Sequence, residues 1–232
     1  ANFPFLASNI FYENTNEHVF SPYKIFNIKG LNIGILGIVN SSIKELVLAQ
    51  NIAGITITSP LNSLQEWVPK LKAQNVDIII LLTSCGVPWD RESSYQDFMS
   101  NKNFNSHSED LNAIELAHYA EGVDLIISGG ISKGYNIPWY DYNSHTYVFQ
   151  NYGNGTSFGH FYLKYDKNTN LFIGYESAVN NNVTQTLLLD DFKYDMEQYQ
   201  WINNKVENAL FQTYNNSDWE SVIKSDDNEI SY

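Results

Sequence analysis

Two short stretches of this chain end in groups that could do chemistry. Val76-Asp-Ile-Ile-Ile-Leu-Leu-Thr-Ser-Cys-Gly86 and Val123-Asp-Leu-Ile-Ile-Ser-Gly-Gly-Ile-Ser-Lys-Gly134 share one form: Val-Asp, an aliphatic run, then small polar residues and glycine. Such a run is how a buried parallel strand delivers polar groups to the edge of a sheet. Ligand sites in open α/β sheets gather at that carboxyl edge. The two turns nominate Ser84, Cys85, Gly129, Gly130, Ser132 and Lys133. Successive N–H groups of Ser128-Gly-Gly-Ile-Ser-Lys133 could form an anion-binding nest, with Lys133 adding positive charge. A solvated lysine on an ordinary glycine turn is the alternative.

Pro88-Trp-Asp-Arg-Glu92 opens a polar excursion through residues 100–110 that passes near the same edge, adding Asp90, Arg91 and His107. Their competing reading is a solvated loop with local ion pairs. Cys85 is the only cysteine, which rules out an intrachain disulfide framework. It reads as a small buried hydrophobe or as a reactive thiol. Neither Ser84 nor Cys85 has an identifiable His/Asp partner, and phosphate-loop, paired-cysteine zinc and dinucleotide signatures are absent. Asp190-Asp191 reads as surface charge and capping ahead of a final helix.

The elements that must position these groups follow from pattern. Ser21-Pro22 is a break, Lys29-Gly30-Leu-Asn32 a turn, and Ile33–Val39 a buried strand whose Gly34 and Gly37 allow close backbone approach. Ser59-Pro60 reads as an N-cap with proline at the first helical position. Leu61, Leu64, Val68 and Leu71 then form one helical face, which Pro69 should kink or shorten. Leu111, Ile114 and His118 mark a second helix ending near Gly122, with His118 on its apolar stripe as a core histidine. Residues 145–152 and 160–166 alternate aromatic residues, and with 171–175 they read as an antiparallel meander. Residues 195–214 read as a helix with Met196, Tyr199, Ile202, Val206 and Leu210 on its buried face, followed by an acidic polar tail, 215–232.

Composition bounds the class. A chain of 232 residues, 43% hydrophobic and 15% aromatic, is long and apolar enough to bury a sizeable core. Thirteen basic against twenty-six acidic residues give −13, which argues against nonspecific nucleic-acid or anionic-membrane binding. No apolar run approaches the ~20 residues of a membrane helix. Four sequons, at Asn40, Asn154, Asn182 and Asn215, permit a secretory setting.

With Asn2-Phe-Pro-Phe-Leu-Ala-Ser-Asn-Ile10, Ile33-Gly-Ile-Leu-Gly-Ile-Val39 and Gly54-Ile-Thr-Ile-Thr-Ser-Pro60, the two runs resemble the 5'-nucleotidase branch of the calcineurin-like metallophosphoesterases, from Asn2 to about Asp166. That family presents Ser-His-x-Gly after the first strand and Gly-Gly-His-Ser-His after the second, and the three histidines bind a dinuclear metal centre. Here the matching positions are Ser84, Ile131 and Lys133. Isoleucine cannot ligate, and an ammonium repels a cation. The family's earlier metal motifs precede the block matched by Asn2–Ile10.

The resemblance implies an α/β fold: a sandwich of two β-sheets flanked by helices, here its later portion, with a mixed sheet and an antiparallel meander. Residues 1–214 are expected as one such domain and 215–232 as a tail. The implied function is a catalytically degenerate 5'-nucleotidase-like domain with a structural or phosphate-binding role, for phosphate or a nucleotide. No cofactor is expected from this chain alone. The alternative is an active phosphoric-monoester hydrolase whose divalent metal pair is held mainly by an N-terminal part not present here. Without that part the strands at 33–39 and 76–83 should lack neighbours and expose apolar faces, so a companion segment or chain is expected. Exported relatives imply a secreted, periplasmic or cell-surface location.

Overall fold

A computed structural model describes residues 3–100, 110–178, 182–185 and 195–214. Two compact units divide between Leu187 and Leu188. In the first, β1 (Ile10–Tyr12) precedes a hairpin of β2 (Tyr23–Ile28) and β3 (Leu31–Ile38). Lys29 and Gly30 turn it at φ 53° and 82°, the paired positive values that a two-residue hairpin turn requires. β4 (Ile55–Ile57) pairs with β1 antiparallel in a small sheet of its own. Asn9 ties this sheet to β3. Its amide donates to the Val39 and Thr58 carbonyls (2.7 and 2.9 Å), and its oxygen accepts from Val39 N–H (2.9 Å). Beside it, a Cβ on Gly37 would stand 2.2 Å from the Leu6 carbonyl oxygen, so this strand position tolerates only glycine.

Helix α1 (Pro60–Lys72) begins at the expected proline and buries Leu61, Leu64, Val68 and Leu71. Pro69 lies inside the helix, which continues for three residues beyond it. Ser59 takes the N-cap position without capping: its hydroxyl is buried and has no hydrogen-bond partner among the described residues. β5 (Ile78–Thr83) follows, and then α2 (Arg91–Ser100). This second helix replaces the first half of the expected polar loop. Only Phe98 is buried on it, so it carries almost no amphipathic signal in sequence. Its docking comes from Tyr95, which packs edge-on against Trp139 at 5.0 Å and donates to Asp141 Oδ2 at 2.9 Å. His107 lies outside the described residues. α3 (Ala113–His118) opens with a reciprocal capping box between Asn112 and Glu115. His118 is half-buried against Phe98 and Tyr95, a satisfied packing histidine as expected.

Strands β6 (Leu125–Ser128), β7 (Trp139–Asp141) and β8 (Thr146–Gln150) complete a six-stranded sheet in the order β2-β3-β5-β6-β8-β7. The run β3-β5-β6-β8 is parallel and the outer strands antiparallel. β3 and β5 therefore have neighbours on both sides, against the expectation that they would lack them. One face of the sheet packs Leu36, Ile79, Leu81, Ile126 and Val148 against α1 and α3. The other receives β10 (Phe161–Asp166) and β11 (Leu171–Ser177), which pair with each other. β9 (Phe158–Gly159) and β12 (Thr184–Gln185) form a short third ladder.

The mixed sheet and antiparallel strands realise the expected fold class. Within it, residues 145–152 do not pair with 160–166. β8 joins the large sheet parallel to β6, and Phe149 meets Phe161 by stacking between sheets, at 4.1 Å and 9°. Alternating aromatics fit either geometry, since both put one face of each strand into the same core.

The two Val-Asp pairs have a structural role. Asp77 Oδ2 accepts the N–H of Asn32 at 2.7 Å, and Asp124 Oδ2 accepts that of Ile79 at 2.8 Å. Each carboxylate thus closes the amino end of the strand before it. Asp77 also accepts from Tyr165 OH at 3.1 Å, joining the hairpin to the sheet.

The second unit is described by helix α4 (Met196–Tyr214), capped by Asp195, whose carboxylate accepts from Glu197 and Gln198 N–H, both at 3.1 Å. Its expected buried face is exposed at Met196, Tyr199, Ile202 and Val206. The tail 215–232 and Asp190-Asp191 lie outside the described residues. No described helix is long and apolar enough to cross a membrane.

Candidate functional site

The turns after β5 and β6 meet at the carboxyl edge of the sheet. Gly129 N–H donates to the Thr83 carbonyl at 2.9 Å. Gly130 takes φ 95°, and a Cβ there would stand 2.3 Å from the Ser84 carbonyl oxygen, so both backbone shape and space demand glycine. Ser84 Oγ accepts the N–H of Asn40 at 2.9 Å, linking this edge to the end of β3. Ser84, Gly129 and Gly130 are therefore brought together at this edge.

Cys85 points away from them. It is buried, its N–H and Sγ both meet Thr83 Oγ1 (3.2 and 3.0 Å), and burial pushes its thiol up to about 11. A thiol held neutral at physiological pH is a packing group. Ile131 lies across Gly86, where an added Cβ would fall 2.6 Å from Ile131 Cγ1. Ser132 is exposed, and its hydroxyl accepts Gly153 N–H at 3.2 Å.

Lys133 Nζ sits 4.8 Å from the Trp89 ring centre and 5.8 Å from that of Tyr135. Arg91 stacks on the same Tyr135 at 4.4 Å, donates to the Ile137 carbonyl at 3.0 Å and pairs with Glu92 at 2.9 Å. Two cations thus flank one phenol ring, beside a Trp89 that is 64% exposed. Aromatic faces stabilise a cation without neutralising it. Among the described residues no carboxylate lies within ion-pairing distance of Lys133. Asp90 sits at the start of α2, where its carbonyl accepts Ser94 N–H at 2.9 Å and Ser93 Oγ at 3.2 Å. Burial, with the nearby Glu92 and Asp90 charges, pushes the Tyr135 phenol up against the opposing pull of Arg91. Two of the nest N–H groups are already committed, Gly129 to Thr83 and Lys133 to the Ile131 carbonyl at 2.9 Å.

Gln150 was not among the sequence candidates. From the end of β8 its amide bonds to the turns after β5 and β6, holding Val87, Ser128 and Lys133. A polar residue closing an apolar strand was the available signal.

A dinuclear metal centre does not fit the three positions where the resemblance puts histidines. Ser84 Oγ is engaged by a backbone N–H, Ile131 offers no donor, and Lys133 brings a cation. Among the described residues no three of His, Cys, Asp and Glu come together to hold a metal.

No protein-family model matches the chain. The 5'-nucleotidase of Vibrio parahaemolyticus is 29% identical over 135 residues, which is 57% of this chain and 22% of that protein. The calcineurin-like phosphoesterase YfkN of Bacillus subtilis superposes with a TM-score of 0.67 at 21% identity, over 90% of this chain and 64% of that one. The chain is a relative of the 5'-nucleotidases. This 5'-nucleotidase relative is also 25% identical over 211 residues to the cell wall protein Lmo0130 of Listeria monocytogenes, covering 83% of itself and 25% of that protein. It spans about a quarter of the length of these curated relatives.

Proposed function

We propose that this 5'-nucleotidase relative binds a phosphate-type anion at Lys133 and does not hydrolyse it through a metal centre of its own residues. The observation that carries the reading is the ammonium of Lys133, held on Trp89 and Tyr135 with no carboxylate partner among the described residues, at a position where the family places a metal-binding histidine. A positive side chain there takes over part of the charge that a cation would bring to a phosphoryl oxygen. Arg91, nearby, is already paired with Glu92, which leaves Lys133 as the cation of the reading.

A companion segment or chain belongs to the same reading. On the hairpin side of the sheet, Leu82 and Ile127 are each 39% exposed, because β10 and β11 cover only part of that face. An apolar strand face of this kind calls for cover. Likeness to a cell wall protein supports an exported, cell-surface setting.

The test is titration of inorganic phosphate into chelator-treated protein, with hydrolysis of a phosphate monoester assayed in parallel with added zinc or manganese. Saturable binding that K133M abolishes, without turnover, is the expected result. Turnover by this chain, with two metal equivalents bound, would overturn it.

A further inference from the structure

Resting on that reading of Lys133 as an anion-binding group, we infer that Gln150 is the positioning residue of the site. Its side chain is 5% exposed and uses its full hydrogen-bonding capacity. Oε1 accepts from Val87 N–H at 2.6 Å and Ser128 Oγ at 3.1 Å. Nε2 donates to the Val87 carbonyl at 3.2 Å and to the Lys133 carbonyl at 2.8 Å.

Val87 is two residues before Trp89, and the fourth bond lands on Lys133 itself. One amide therefore spans the two turns that carry the aromatic face and the cation. The Tyr135 hydroxyl also crosses between them, donating to the Pro88 and Trp89 carbonyls. Only the Gln150 amide bonds Lys133, whose own N–H turns back to Ile131 within its loop. With the amide in place, the backbones of both turns are fixed and the ammonium is delivered over the indole. Without it, the Lys133 and Val87 carbonyls lose these donors and Lys133 is no longer tied to the turn after β5 through its own backbone. Gln150 touches no ligand in this account. It acts through Lys133.

The two halves of the amide can be separated. Q150E keeps the acceptor for Val87 and Ser128 but, when ionised, cannot donate to the two carbonyls. When protonated, the introduced carboxyl recovers one donor, so the defect should be reversible with pH. Sulfate is the probe, because its charge does not change across the range used. For Q150E we expect sulfate affinity to fall about tenfold at pH 8, the scale of losing the hydrogen bond that holds the Lys133 carbonyl. It should recover on acidification, while the wild-type profile stays flat. Q150M, which fills similar volume without polar atoms, should bind weakly at every pH. A Q150E protein that binds like wild type at pH 8, or a Q150M protein that recovers on acidification, overturns the inference.

A second readout separates this from failure of the anion site. The emission difference between wild type and K133M reports the Lys133–Trp89 contact whether or not sulfate binds. Wild type that binds no sulfate refutes the anion reading alone. In that case, loss of the emission difference in Q150E or Q150M at pH 8 still supports Gln150 as the positioning residue, and an unchanged difference refutes it.

Discussion

The amino and carboxyl ends of the same parallel strands both gather polar side chains, and they use them in opposite ways. At the amino end, Asp77 and Asp124 each accept a backbone N–H from the neighbouring strand, so their charge is absorbed by the fold. At the carboxyl end, Gln150 satisfies the polar groups where three segments meet, and the charge of Lys133 is left lying on ring faces. Two stretches with the same Val-Asp opening thus build a closed edge and an open one. A charged group that the backbone satisfies is structural; one that only aromatic surface satisfies remains available to a ligand.

The largest expected effect tests how rigid the open end is. G130A combines a left-handed backbone with a Cβ driven into the Ser84 carbonyl, and it should cost about 3 kcal/mol or more. A shift in the urea midpoint measures it. D77A should come next. It strips the Asn32 N–H and the Tyr165 hydroxyl of their acceptor, at about 1–3 kcal/mol, and should leave phosphate affinity unchanged in the protein that remains folded. A loss of affinity in D77A would break the division between the two ends.

Asp124 gives a smaller, pH-dependent effect. Burial pushes its carboxyl up to about 6, against the opposing Ile79 N–H bond and the nearby Lys72. The folded state therefore holds a proton that the unfolded state has released. Its favourable contribution is complete below the ordinary value of about 4 and is lost as pH rises through about 6. D124N should remove a stability slope on the order of 1 kcal/mol from that window, measured by urea unfolding at several pH values. The smallest stability change belongs to K133M, within about 0.5 kcal/mol, although it should abolish anion binding.

Much of this architecture was legible in the sequence. The helix face at Leu61, Leu64, Val68 and Leu71, the Lys29-Gly30 turn and the strand glycines all obey local rules: periodicity, positive φ, close approach. What escaped depended on partners distant in sequence. α2 is held by Tyr95 reaching Asp141, forty-six residues away, so its own composition reads as a polar loop. The aromatic strands at 145–152 and 160–166 were visible as strands, but pairing was not, because alternation does not distinguish a hairpin from two stacked sheets. Of the site, the glycine turns and Lys133 were readable from their position after apolar runs. Gln150 and Trp89 were not, since their roles exist only once the turns after β5 and β6 are side by side.

The most direct test of the open carboxyl edge is phosphate binding by chelator-treated protein, measured by isothermal titration for wild type and K133M. The account predicts saturable, salt-sensitive binding by wild type that zinc or manganese does not strengthen, and no binding by K133M. Equal binding by both proteins, or binding that appears only with added metal, would contradict it.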